Sequence, residues 1–234
     1  DGLEISKHRN ICDEWMNKWP VMSLSLKAVE GNDFSTAYMQ LVYEVGELFK
    51  KHEYLMESPV LNAEEKKKFG DIRYGRAGKI EVMRSLQILS EFLSKYYNKS
   101  VILLIDEYDV PMARATSNGY YKEMLEIMKG FMQALKDNQC IKLAVITGCL
   151  KIAKESIFTG TNNFVSNTIT SSRLNEYYGF VQNEVDRILE DAEIKGKGDI
   201  MKKWYDGYHF GDVDVYCPWD VMCYVDDLQK NPNA

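Results

Sequence analysis

Residues Val101 to Pro111 read VILLIDEYDVP, five aliphatic residues in a row followed by two adjacent acids, Asp106 and Glu107. A carboxylate accepts hydrogen bonds only and offers the hard oxygens that hydrated Mg²⁺ prefers, while a second carboxylate can orient or deprotonate a water. An apolar strand ending in Asp-Glu is the pattern of a Walker B element. There the first acid holds Mg²⁺ on nucleotide phosphates through water, and the second directs the attacking water. Adjacency serves this chemistry because alternation along the strand aims one acid at the metal and its neighbour at the γ-phosphate. The plainer alternative is a strand that ends in a polar loop.

A second polar strand end shifts the balance. The run IKLAVITG closes with Thr147, 41 residues after Asp106, which leaves room for one helix and a return strand. In a parallel sheet the two ends can be neighbours, and a hydroxyl there can hydrogen-bond the γ-phosphate or the lytic water, the sensor-1 role. Arg173, after the last expected strand, can reach phosphate or serve as a surface ion-pair partner. His209 reads as a hydrogen-bonded structural residue, since no Ser or Cys nucleophile pattern accompanies it. A Gly-x-x-x-x-Gly-Lys-Ser/Thr phosphate loop is missing. The nearest decoy, GDIRYGRAGKI, has Ile80 after Lys79 where a hydroxyl is needed and Arg73 where the first glycine belongs. Gly75 to Gly78 therefore reads as a turn before a helix.

These side chains need a sheet to hold them. PVMSLSLK alternates Met22, Leu24 and Leu26 with polar residues, which predicts a strand. A helix capped by Asp33 or Ser35 carries Phe34, Tyr38, Leu41, Val45, Leu48 and Phe49 on one side. Asn62 with Glu65 forms a capping-box pattern for a short charged helix, whose Lys66 to Lys68 run reads as a solvated face. A long helix is expected from Lys79 to Tyr97, a loop containing Pro111, and a helix from about Tyr120 to Leu135. A short helix around Ile152 to Phe158 and a further strand, Phe164 to Thr170, complete the set. Helix and strand alternate, so the fold class is α/β: a mostly parallel sheet of four strands, covered by helices on both faces. The character changes after Ser171. Residues 1–171 form the α/β core, and residues 172–234 a small helical, lid-like subdomain with an aromatic, turn-rich segment and Pro218 placed to start a helix.

Composition sets the bounds. The 234 residues are 45% hydrophobic and 27% charged, an ordinary globular balance with a net charge of -6, which disfavours a whole-chain nucleic-acid binder but leaves room for a local site. Five cysteines without a Cys-x-x-Cys pair read as reduced, intracellular thiols, and the protein is expected in the cytoplasm. No apolar run approaches the ~20 residues that a membrane span requires. The chain opens DGLEIS, without Met, as though cut from a longer protein.

Several blocks together resemble a bacterial family, the AAA-ATPase-like proteins of the P-loop NTPase superfamily. They are PVMSLSLKAVEG, VILLIDEYDVP, ITGCLKIAKESIFTGTNNF, EYYGF, and WYDGYHFG followed by YCPWDV. The resemblance implies an ASCE-type sheet with Asp106 as the metal-holding acid, Glu107 as the water-activating acid and Thr147 as sensor 1. It also implies ATP and Mg²⁺ as cofactors. Its Walker A loop and first strand would precede Asp1, so that this chain alone binds nucleotide weakly or not at all. Lys151 stands where many relatives carry Arg and is the matching anion contact. Members often carry a C-terminal PD-(D/E)XK nuclease-like domain, which makes such a domain and nucleic acid candidate partners beside the nucleotide. Two other functional classes stay open: a non-hydrolysing scaffold on the same fold, and a metal-dependent nuclease using Asp106 and Glu107. The latter lacks the spaced acid and Lys of a nuclease centre.

Overall fold

The computed structural model describes residues 3–150, 157, 164–194, 196–205, 208–211 and 213–231. The chain divides into two compact units, Asp1–Asn162 and Asn163–Ala234.

The first unit is built on three parallel strands, β1 (Val21–Ser25), β2 (Val101–Asp106) and β3 (Ile141–Ile146), in the spatial order β1-β2-β3. Each parallel step requires a crossover, and helices supply it. The chain runs from a short helix α1 (Arg9–Trp15) through β1 to α2 (Phe34–Lys50), then α3 (Ala63–Arg73), α4 (Lys79–Met83) and α5 (Ser85–Tyr97) into β2. After β2 come α6 (Val110–Asn118) and α7 (Tyr121–Met132), which return the chain to β3.

Local chemistry sets the helix starts. The Asp33 side chain accepts the Thr36 N–H at 2.8 Å and so caps α2, and the same bond holds its carboxyl below the usual range. At α3 the capping box is complete: Asn62 Oδ1 accepts from Glu65 N at 2.9 Å, and Glu65 Oε2 from Asn62 N at 2.7 Å. The expected helix from Lys79 to Tyr97 is interrupted at Arg84, whose N–H is shared between the Ile80 and Glu81 carbonyls. The loop expected around Pro111 is instead the helix α6. Proline suits its first turn, where no N–H is needed, and Gly119 at φ +82° ends it in the left-handed conformation.

Alternation along the strands sorts their side chains onto two faces. Met22, Leu24, Leu103 and Ile105 lie on one face and are buried beneath a layer in which α2 packs on β1 and α5 on β2. Leu41, Val45, Leu48, Leu86, Leu89 and Leu93 meet them there, each buried aliphatic side chain contributing roughly 1.5–3 kcal/mol. The other face carries Val21, Leu104, Leu143 and Val145, which are 37–44% exposed. Coverage on both faces, expected from the sequence, is thus replaced among the described residues by coverage on one. A register shift between Val101 and Ile102 keeps Leu143 in line with Ile102 and Val145 with Leu104.

The strand expected at Phe164 to Thr170 does not form. Val165 and Ile169 are exposed, and Thr168 and Ser171 bond each other through backbone and side chain, building a local turn in place of a ladder. The sheet therefore has three described strands where four were expected. Of the helix expected at Ile152 to Phe158, only Ile157 lies within the described residues.

The second unit packs α8 (Gln182–Asp191), α9 (Gly198–Tyr205) and α10 (Pro218–Lys230) around Val185, Leu189, Met201, Tyr216, Val221 and Val225. A short antiparallel hairpin, β4 (Tyr208–Phe210) and β5 (Val213–Val215), occupies the aromatic stretch that reads as turns in the sequence. Among the described residues no helix is long and apolar enough to cross a membrane.

Candidate functional site

Parallel strands bring their carboxyl ends to one rim. The pairing of Ser25 with Asp106 and of Ile105 with Ile146 sets Ser25, Asp106 and Thr147 side by side there. All three belong to the face that carries no helical layer among the described residues, since the alternation that sends Ile105 into the core sends Asp106 the other way. Ligands of open α/β sheets bind beyond such a rim.

Thr147 Oγ1 donates to Asp106 Oδ1 at 2.5 Å, and the Glu107 N–H donates to the same oxygen at 2.9 Å. Asp106 Oδ2 has no partner among the described residues. One carboxylate oxygen is thus fixed by two donors while the other stays open at an exposed position, a donor set suited to Mg²⁺ and its waters.

Alternation alone would turn Glu107 to the core side. Its backbone is left-handed instead, with φ +55°, a conformation that costs a non-glycine residue about 1–3 kcal/mol unless its surroundings impose it. The turn brings Glu107 back beside Asp106, where its Oε2 accepts from Ser25 Oγ at 3.4 Å. Two acids and two hydroxyls from three strand ends therefore share one polar row: Ser25, Glu107, Asp106 and Thr147. The expectation that alternation separates the acids gives way to a kink that gathers them.

The remaining sequence candidates fall elsewhere. Lys151 lies outside the described residues. Arg173 is exposed in a bend of the second unit and has no ion-pair partner among the described residues. His209 Nδ1 bonds Asp214 Oδ1 at 2.7 Å across the β4–β5 hairpin. The decoy glycine segment is accounted for by structure: Gly70 lies inside α3, Gly75 takes φ +65° in the turn, and Lys79 pairs with Glu126 at 3.0 Å.

Two residues escaped the sequence reading. Ser25 ends a strand as many serines do, and only its register opposite Asp106 distinguishes it. Asp109 is 4% exposed, and its carboxylate accepts from Cys149 N at 3.2 Å and Leu150 N at 2.9 Å. The available signal was the third acid of Asp-Glu-Tyr-Asp, too far past the strand to read as part of the rim.

No group of three or more His, Cys, Asp or Glu side chains converges among the described residues as a ready metal cage. An open groove in the second unit is lined by Asp186, Glu190 and Glu193, a charge unsuited to phosphate.

A family model described as AAA-ATPase_like, Predicted AAA-ATPase, matches residues 1–158. An uncharacterized protein encoded in the vnfD 5′ region of Azotobacter chroococcum mcd 1 is 27% identical over 135 residues, which cover 56% of this chain and 26% of that protein. The chain thus spans about a quarter of this curated relative's length. No solved structure matches it.

Proposed function

The chain belongs to the AAA-ATPase-like family, and on that premise we propose that its sheet rim supplies the Mg²⁺-holding and water-directing part of an ATP-hydrolysing site. Asp106 is the residue that would hold Mg²⁺, through the oxygen left open by Thr147 and the Glu107 amide. Magnesium, when bound with nucleotide, neutralises charge that develops on the phosphates. Glu107 is the base that orients or deprotonates the attacking water. Ser25 steadies the Glu107 carboxylate, and Thr147 holds Asp106 in one rotamer while offering its own oxygen to a phosphate or water. Lys151 and Arg173 stand as further anion contacts. Hydrolysis belongs to the full-length protein, and the phosphate-binding loop is proposed to lie in a segment beyond this chain. The same family reading makes a nuclease-like domain and nucleic acid candidate partners, and the cysteine pattern points to a cytoplasmic setting.

The observation that carries this reading is the convergence at the rim, where the left-handed turn sets the Glu107 carboxylate beside an Asp106 held by Thr147 and the Glu107 amide. The test is Glu107→Gln in the full-length protein, with Mg-ATP binding and turnover measured together. Turnover is expected to fall about 10²–10⁴-fold with binding retained. Undiminished turnover would remove Glu107 from the mechanism. If the unaltered full-length protein binds Mg-ATP but does not hydrolyse it, the fold serves as a non-hydrolysing module instead. A titration of the present chain alone with Mg-ATP should give weak binding or none.

A further inference from the structure

Five hydrogen bonds zip the turn after β2 onto the turn after β3. Besides the bond from Thr147 to Asp106, the Tyr108 N–H donates to the Thr147 carbonyl at 3.2 Å, and the Tyr108 hydroxyl to the Leu150 carbonyl at 3.1 Å. The other two are the Cys149 and Leu150 amides donating to the two oxygens of Asp109.

Asp109 differs from the other members. It sits in the N-cap position of α6, where an aspartate ordinarily accepts from its own helix, yet it makes no cap bond. Its carboxylate reaches across to a different strand's turn. The side chain is buried, and burying a charged carboxylate is costly unless hydrogen bonds compensate, so the two amides are what make its position tenable. Gly148 shows how close the approach is. A Cβ at that position would overlap Asp109 Oδ1 and lie 2.7 Å from the Tyr108 ring. Only glycine lets the turn come down onto the aspartate.

We propose that Asp109 is a positioning residue, latching the 147–150 turn so that the Thr147 hydroxyl stays on Asp106. The role rests on the ATPase reading of the rim and extends it to a residue that touches neither metal nor nucleotide. Without the latch, Thr147 still ends a paired strand, but its side chain is free to leave Asp106, and the carboxylate loses one of the two donors that fix it. A catalytic carboxylate displaced by about 1 Å can lose roughly a hundredfold in rate.

Two variants attack the same contact from opposite sides. Asp109→Asn keeps size but turns an N–H₂ toward an amide donor, and Gly148→Ala pushes the turn off an intact Asp109. In the present chain, amide hydrogen exchange at Cys149 and Leu150 is expected to speed up at least about tenfold in each variant, the loss of about one hydrogen bond. The Thr147 methyl, followed by NMR, should pass from one rotamer to an average, while exchange in residues 101–105 stays slow. In the full-length protein, kcat should fall between about 10- and 100-fold with KM for Mg-ATP within about threefold. The double variant should be no worse than the weaker single one, since both open one latch. Unchanged amide exchange, or a Thr147 rotamer that survives release of the amides, overturns the proposal. So does an unchanged kcat after release. If the unaltered full-length protein proves inactive, the ATPase reading fails, and the exchange and rotamer measurements still decide the latch.

Discussion

β2 and β3 carry aliphatic residues on both faces of the three-stranded sheet, and the surroundings of the two faces are opposite. Met22, Leu24, Leu103 and Ile105 sit under α2 and α5 with at most 4% of their surface exposed, whereas Val21, Leu104, Leu143 and Val145 on the other side keep 37–44%. Aliphatic character therefore marks these residues as strand but does not say which of them carry stability. The covered face holds the unit together. The other face ends in Asp106, Ser25 and Thr147, the polar row proposed to carry the chemistry.

The largest test of this division is Leu103→Ala. Leu103 has no exposed surface and lies in the central strand, paired with Met22 on one side and Ala144 on the other. Truncation is expected to cost about 2–5 kcal/mol in chemical denaturation, from lost burial and the cavity left behind. A cost below about 1 kcal/mol would mean that the helical layer is not what stabilises the sheet.

Much of this covered face was legible in the sequence, for reasons that are local. Spacing of three and four picks out α2, and its Asp33 cap and the Asn62–Glu65 box need only neighbouring residues to form. Unbroken aliphatic runs pick out β2 and β3. What local rules cannot supply is a partner. Phe164 to Thr170 reads as a candidate strand yet finds nothing to pair with among the described residues, so local Thr168–Ser171 bonds prevail. Pro111 reads as a breaker because its place in a first turn depends on the helix that follows. At the rim, Asp106 and Thr147 stand out by motif, while Ser25 and Asp109 act through contacts with residues 82 and about 40 positions away in the sequence. The kink at Glu107 is set by that network and leaves no mark in composition or period.

A pH titration sharpens the account of the covered face at its edge. His52 follows α2 directly and bonds the Tyr54 hydroxyl at 3.2 Å through Nδ1, while the adjacent Lys51 ammonium reaches the Ser23 carbonyl of β1 at 3.3 Å. Burial, and secondarily the Lys51 charge, hold the His52 pKa below its ordinary value. The folded chain thus binds its proton less readily than the unfolded chain. The resulting stability is complete above the ordinary histidine value of about 6.5 and is lost as pH falls from there toward the lower folded value. His52→Gln should flatten the stability curve between pH 7 and 5.5, measured against the unaltered chain in parallel. An unchanged slope would show that protonation of His52 does not strain the end of α2.

The smallest expected effect falls on the open face and asks the most of the comparison. Leu143→Thr replaces an aliphatic residue 42% exposed with a β-branched one that favours strands, while removing apolar surface. If the face is open in solution, little burial is lost, and the change should stay within about 0.5 kcal/mol by denaturation, as for other surface positions. A loss of 2 kcal/mol or more at this site would place Leu143 in a second core and cancel the asymmetry between the faces. The contrast with Leu103 makes the result interpretable, since both are leucines of neighbouring strands in one sheet, one in the central strand on the covered face and one in an outer strand on the other face. Equal costs at the two positions would mean that the rim of Asp106 and Thr147 ends a sheet closed on both sides, and its ligand would then have to approach along the strand axis alone.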